Sequence, residues 1–238
     1  MSPPGPTAAV PQLPLALRYP PDQRLDTYVG APEGALAQLR TAATAGGDWL
    51  YLAGPGGVGK THLLLGACAE ADRAGRRAAY LPLQAAAGRL RDALVALEGN
   101  DLLALDGLEA IAGGREDEVA LFDAHNRARE AGITLVYAAA EQPDALALVL
   151  PDLRSRLQQC TRIVLAPLDD DGRREVLRQR AQRRGLAVDE AALDWLLRRV
   201  GRDLAGLTGL FDRLDREALA AKRRITVPFL RQVLGGDS

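Results

Sequence analysis

Trp49-Leu50-Tyr51-Leu52-Ala53-Gly54-Pro55-Gly56-Gly57-Val58-Gly59-Lys60-Thr61 decides the fold. Five apolar residues read as a buried strand, and the next eight satisfy G-x-x-x-x-G-K-[ST] at every defined position. An amphipathic stretch, Lys60 to Ala74, follows as a helix. Phosphate chemistry requires that order. The glycines let successive backbone N–H groups curl around an anion, and the helix N-terminus adds its partial positive charge. Lys60 brings an ammonium to the β/γ oxygens, and Thr61 offers a hydroxyl to Mg2+. With 24 Gly, two Lys and 12 Ser or Thr in 238 residues, about one chance match is expected per thousand such chains. Gly54, Pro55, Gly56, Gly57, Val58, Gly59, Lys60, Thr61 and the adjacent His62 are therefore the candidate nucleotide-contacting set.

Outward from the loop the pattern alternates. Apolar runs at Trp49 to Ala53, Ala78 to Leu83, Leu102 to Leu105, Ile133 to Ala138 and Ile163 to Leu165 read as buried strands. Between them Lys60 to Ala74, Ala85 to Leu97, Glu116 to Ala131 and Leu150 to Gln159 read as helices, so crossover units and a parallel sheet are expected. Beyond Pro167 the strand signal stops. Asp169 to Arg184, Asp189 to Arg199, Asp203 to Ala221 and Val227 to Leu234 carry apolar residues at helical spacing. The expected organisation is an extended tail over 1–24, an α/β nucleotide-binding domain over 25–167 and an all-helical domain over 168–238. Seven of the 14 prolines fall in the first 21 residues, where a core cannot form.

Composition excludes several classes. Apolar residues at 47% can fill a core, and no charge-free run is long enough to span a bilayer, so no membrane partner is expected. The start lacks a secretion-signal layout, which points to the cytoplasm. A net charge of −1 argues against a nucleic-acid coat, and DNA is expected only indirectly, through partners. Cys68 and Cys160 have no metal or redox spacing and read as structural thiols; His62 and His125 likewise lack a ligand cluster. Of 30 basic residues only Lys60 and Lys222 are lysine, and one of them stands where phosphate chemistry calls for an ammonium.

A phosphate loop of this kind needs a second acid at a neighbouring strand end to hold Mg2+, and Leu102-Leu103-Ala104-Leu105-Asp106 supplies it; Thr61 and Asp106 are the metal candidates. Loop, acid and helical C-terminal domain together resemble the AAA+ ATPases. Leu108 to Gly113, Leu121 to Arg127, Leu150-Pro151-Asp152-Leu153-Arg154-Ser155-Arg156-Leu157 and Arg202-Asp203-Leu204 narrow the resemblance to the DnaA-like AAA+ family, and within it to the short Hda branch. That resemblance implies bound ADP or ATP with Mg2+ and regulatory inactivation of the initiator DnaA. It makes Arg156 an arginine finger acting in a neighbour's site and Arg202 the sensor-2 arginine. Arg154, two residues from the finger, is the decoy. The resemblance also implies docking on the DNA polymerase sliding clamp through Gln12, Leu13, Leu15 and Leu17, and it leaves a homodimer open. Tyr28 and Val29 are candidates for the adenine pocket. Two departures stand out. Relatives commonly carry a second acid where this chain has Gly107, and a polar water-orienting residue where it has Ala138-Ala139-Ala140. Weak intrinsic hydrolysis is the expectation, with Glu109 a substitute base only if its turn aims it at the site. The competing reading is a self-sufficient AAA+ ATPase of the initiator or helicase-loader type.

Overall fold

A computed structural model describes residues 22–199, 206, 209–211, 213, 214, 217 and 224–234. Strands β1 (Leu50–Ala53), β2 (Ala78–Pro82), β3 (Leu102–Asp106), β4 (Thr134–Ala139) and β5 (Thr161–Val164) form one sheet in the order β2-β3-β4-β1-β5, every pair parallel. The α/β expectation is thus met. Because side chains alternate across a strand, each strand feeds two cores. Tyr51, Leu103, Leu105, Leu135 and Tyr137 face helices α4 (Leu90–Val95), α5 (Arg115–Glu130) and α6 (Pro151–Gln158). Leu50, Leu52, Ala104 and Val136 face α1 (Ala35–Thr44) and α2 (Lys60–Arg73).

Three local departures from the pattern have physical causes. Helix α1 carries no strong apolar stripe, since its buried face is mostly alanine: Ala35, Leu39, Ala42 and Ala43. The expected helix over Ala85 to Leu97 is two, α3 (Leu83–Ala86) and α4, split where Gly88 turns left-handed at φ +79. The Asp117 carboxylate holds that break by accepting from the Gly88 and Leu90 N–H groups. Strand β5 starts two residues before the apolar run, because exposed Arg162 on this edge strand interrupts the pattern.

After Leu165 come α7 (Asp170–Arg183), α8 (Glu190–Arg199) and a C-terminal helix, α9 (Val227–Leu234). They close a third core through Leu177, Leu193, Leu196, Phe211, Ile225 and Leu230, stitched by a one-residue bridge between Val188 and Ile225. Most of the expected helix over Asp203 to Ala221 lies outside the described residues, as do Gln12, Leu13, Leu15 and Leu17 of the tail and Arg202. The last residues assigned to the tail are tied in: the Asp22 carboxylate accepts from Arg184 at 2.7 Å and pairs with Arg180 at 3.5 Å, joining the chain start to the end of α7. Among the described residues no helix is long and apolar enough to cross a membrane.

Candidate functional site

Strand β1 delivers the loop to the carboxyl-terminal edge of the sheet, and α2 begins at its far side. Gly59 caps α2 at φ +91, and a Cβ there would meet the Tyr28 ring at 2.7 Å. A side chain at 59 would therefore collide with Tyr28, whose hydroxyl also donates to the Val58 carbonyl at 2.7 Å. Gly56 faces open space, and Gly57 is left-handed at φ +79. Lys60, 9% exposed, donates from Nζ to the carbonyls of Gly54 and Pro55. Burial pulls its pKa below the ordinary lysine value, against the opposing charges of Glu109 and Asp106.

Parallel pairing sets the second acid. Asp106 ends β3 in register with Ala138 of β4. The Thr61 hydroxyl donates to Asp106 Oδ2 at 2.6 Å, and the Tyr80 hydroxyl donates to the same oxygen at 2.9 Å. A hydroxyl and a carboxylate in contact beside a glycine-rich loop and a helix N-terminus form a donor set that fits a magnesium polyphosphate. Tyr80 was missed by sequence reasoning. Its only signal was register, two residues before the strand end that pairs Pro82 with Asp106.

At Gly107 the chain turns left-handed, φ +83, into a 3₁₀ turn over Leu108–Ala110. The turn aims Glu109 back across the sheet end, where its carboxylate accepts the Ala140 N–H at 3.1 Å and lies close enough to raise the Lys60 pKa. His62, by contrast, turns away from the loop. Its Nε2 lies 2.8 Å from the Arg24 carbonyl and 3.1 Å from the Thr27 hydroxyl, and its ring meets the Tyr28 ring edge-on. It fastens the entering segment to α2. Burial lowers its pKa.

Arg156 stands elsewhere. It belongs to the last turn of α6, just before β5, and lines a cleft of about 410 Å3 with Trp49, Ile133 and Thr161, which mark the amino-terminal ends of β1, β4 and β5. The loop sits at the opposite edge. Five strand steps from Trp49 to Gly54, at about 3.3 Å each, put roughly 16 Å between the two edges. Arg154 is committed to structure, donating to the carbonyls of Leu148 at 2.6 Å and Leu146 at 3.5 Å. The start of α6 is fixed by Glu118, fully buried, whose carboxylate accepts from the N–H groups of Gly113, Val149 and Leu150. Sequence reasoning did not single out Glu118; an acid in the first turn of a helix usually signals only a favourable dipole contact.

The fold and its C-terminal helices now meet what is known of other proteins. The family model described as "Hda, lid domain" matches residues 170–234. Domain III of the Thermotoga maritima replication initiation protein DnaA superposes with a TM-score of 0.77 at 21% identity, covering 92% of this chain and 98% of that one. This chain has the AAA+ fold seen in DnaA domain III, and its C-terminal helices match the Hda lid model. Aquifex aeolicus DnaA bound to AMPPCP matches with a TM-score of 0.66 at 21% identity over 86% of this chain and 71% of that one. The Thermotoga maritima RuvB Holliday junction branch migration motor gives 0.66 at 22% identity over 90% and 71%. The shared architecture places the Hda-type lid directly after the strand edge that carries Thr161–Val164.

Proposed function

We propose that this chain is a negative regulator of DNA replication initiation. It binds ADP or ATP with Mg2+ in its own loop and, tethered to the sliding clamp through Gln12, Leu13, Leu15 and Leu17, stimulates hydrolysis of ATP held by DnaA. The observation that carries the reading is the position of Arg156 at the sheet edge opposite its own loop, among the strand starts, with Arg154 occupied by backbone carbonyls. With the strand starts roughly 16 Å from the strand ends that carry its own phosphate loop, Arg156 is placed to serve a second nucleotide, one brought by a neighbouring subunit. The Hda-type lid supports DnaA as that neighbour.

In this reading the loop amides and Lys60 bind and orient the chain's own nucleotide, while Thr61 and Asp106 hold its metal, which would neutralise phosphate charge. Arg202 reports the nucleotide to the lid. In trans, Arg156 forks between phosphate oxygens of the partner's ATP as charge builds on them, a contribution of about 10³–10⁵ in rate for such fingers. Arg156→Ala should keep nucleotide and clamp binding yet lower stimulated hydrolysis of DnaA-bound ATP about 10²-fold or more. Arg154→Ala should instead lower the melting temperature, since the Leu148 carbonyl loses its side-chain donor. Equal stimulation by both variants would refute the finger.

One observation favours the self-sufficient ATPase. Glu109 faces the end of β4 beside Lys60, where a base or water-orienting group would act. We keep slow own-site hydrolysis as the main reading, because the Glu109 carboxylate already holds the Ala140 N–H. Sustained turnover of several per second by the isolated chain, lost in Glu109→Gln, would reverse that choice.

A further inference from the structure

We propose that Arg129 is a second cation acting in trans beside Arg156, so that the cleft at the strand starts presents two guanidiniums to the terminal phosphates of the neighbouring subunit's nucleotide. The inference rests on the reading above and adds a residue that neither motif nor family match singles out.

Helix α5 ends with two arginines two positions apart, which a helix sets on opposite faces. Arg127 turns to the segment that follows α4, within 4.0 Å of Glu98. Arg129 turns to the cleft and lines it with Arg156. Among the described residues neither Arg129 nor Arg156 has an ion-pair partner, and the one acid on the rim, Asp48, pairs with neither. Both guanidiniums act on the same buried imidazole: with burial, Arg156 and Arg129 lower the pKa of His125 to about 4. The cleft floor is aromatic and hydrogen-bonded. His125 lies 3.0 Å from the Tyr137 hydroxyl through Nδ1, Trp49 stands edge-on to it at 4.4 Å, and the Trp49 N–H donates to the Ile133 carbonyl.

Two like charges held on one wall without a counter-ion repel each other, and a polyanion relieves that repulsion. A metal is excluded by the sign of the wall. A nucleic-acid backbone would need a longer basic track than one cleft closed by Trp49 and Cys160. The terminal phosphates of a nucleotide match both the charge and the size. In the reaction, water adds to the γ-phosphorus while the bond to the bridging oxygen breaks, giving ADP, inorganic phosphate and a proton. Negative charge grows on the bridging oxygen, and a second guanidinium adds to what Arg156 supplies there.

The test is single-turnover hydrolysis of ATP preloaded on DnaA, with DNA-loaded clamp and the full chain as wild type, Arg129→Ala, Arg129→Lys, Arg127→Ala or Arg156→Ala. The expected result for Arg129→Ala is a rate at saturating protein at least about 10-fold below wild type. Its half-saturating concentration, its own nucleotide affinity and its melting temperature should be unchanged. Arg129→Lys should keep more of the rate than Arg129→Ala. Arg127→Ala, which removes a cation from the same helix end but the other face, should match wild type. If Arg129→Ala matches Arg127→Ala while Arg156→Ala is inactive, the second cation is refuted and the finger stands. If the wild type itself fails to stimulate, the functional reading falls and this proposal with it.

Discussion

Replacing Glu118 should unfasten the helix that carries Arg156. The carboxylate is 0% exposed and accepts the Gly113 N–H at 2.7 Å, the Val149 N–H at 3.0 Å and the Leu150 N–H at 2.7 Å. Gly113 follows the turn after β3, and Leu150 caps the start of α6, so one side chain pins the acid-bearing turn to the helix that carries Arg156. A hydrogen bond to a charged acceptor is worth about 1.5–3 kcal/mol, and three would nominally reach about 4–9 kcal/mol. The donors are only partly shielded from water, which can replace some of what is lost; an expected cost near 3–5 kcal/mol for Glu118→Ala is consistent with that. Glu118→Gln keeps the shape but turns an NH2 group toward backbone donors, and about 2–3 kcal/mol should be lost. Urea unfolding measures both. Hydrogen exchange at Val149 and Leu150 should accelerate in each variant ahead of exchange in β1. A loss under about 1 kcal/mol in both variants, with protection at these two amides intact, would refute the reasoning.

Other consequences are simpler to state. Lys60→Ala should weaken nucleotide binding at least about 100-fold in a fluorescent-nucleotide titration, since the loop loses its only ammonium; an unchanged dissociation constant would move the site elsewhere. His125 should titrate near 4 by NMR, neutral in the fold while the unfolded chain takes up its proton near 6.5. The unfolded state then binds more protons between those values. Stability should fall as pH drops from 6.5 to 4, by up to about 3 kcal/mol from this group, and an imidazole titrating at 6.5 or above would contradict it.

Much of the architecture was legible because its signals are local. Five apolar runs became five strands; the signal is strongest in the central β1, β3 and β4, which are buried on both faces, and weaker in the edge strands β2 and β5. The turn from β1 into α2 was legible for a similar reason, as Gly54 to Thr61 are contiguous, whereas Asp106 reaches Thr61 only through the order of the strands. What failed was encoded weakly or at long range. An alanine-faced helix such as α1 shows little apolar contrast. Gly88 splits a helix in a way visible only once Asp117, 29 residues on, is known to hold its N–H. Glu118, Tyr80 and Arg129 carry no motif. Each acquires its role from a partner brought near by sheet order: the loop before α6, the Asp106 carboxylate and the Arg156 cleft.

The choice between Arg154 and Arg156 shows where periodicity stops. Two positions on a helix differ by about 200°, so the sequence alone requires that the two guanidiniums face opposite ways. It does not say which way is which. The deciding information lies in the irregular stretch before α6: the Leu146 carbonyl accepts the Leu148 N–H at 2.7 Å, while the Leu148 carbonyl accepts from the Arg154 guanidinium at 2.6 Å and draws it inward. A partly buried carbonyl without a donor costs about 1–3 kcal/mol, more than the energy that would hold either arginine at a solvated surface. With Arg154 committed, the helix period turns Arg156 to the cleft, where among the described residues no acid pairs with it. The helix period thus sets the bound guanidinium and the free one on opposite sides of α6. Shortening the 146–148 stretch so that its carbonyls no longer need Arg154 should release a second, competing cation. It should leave Arg156 where β5 and the last turn of α6 hold it.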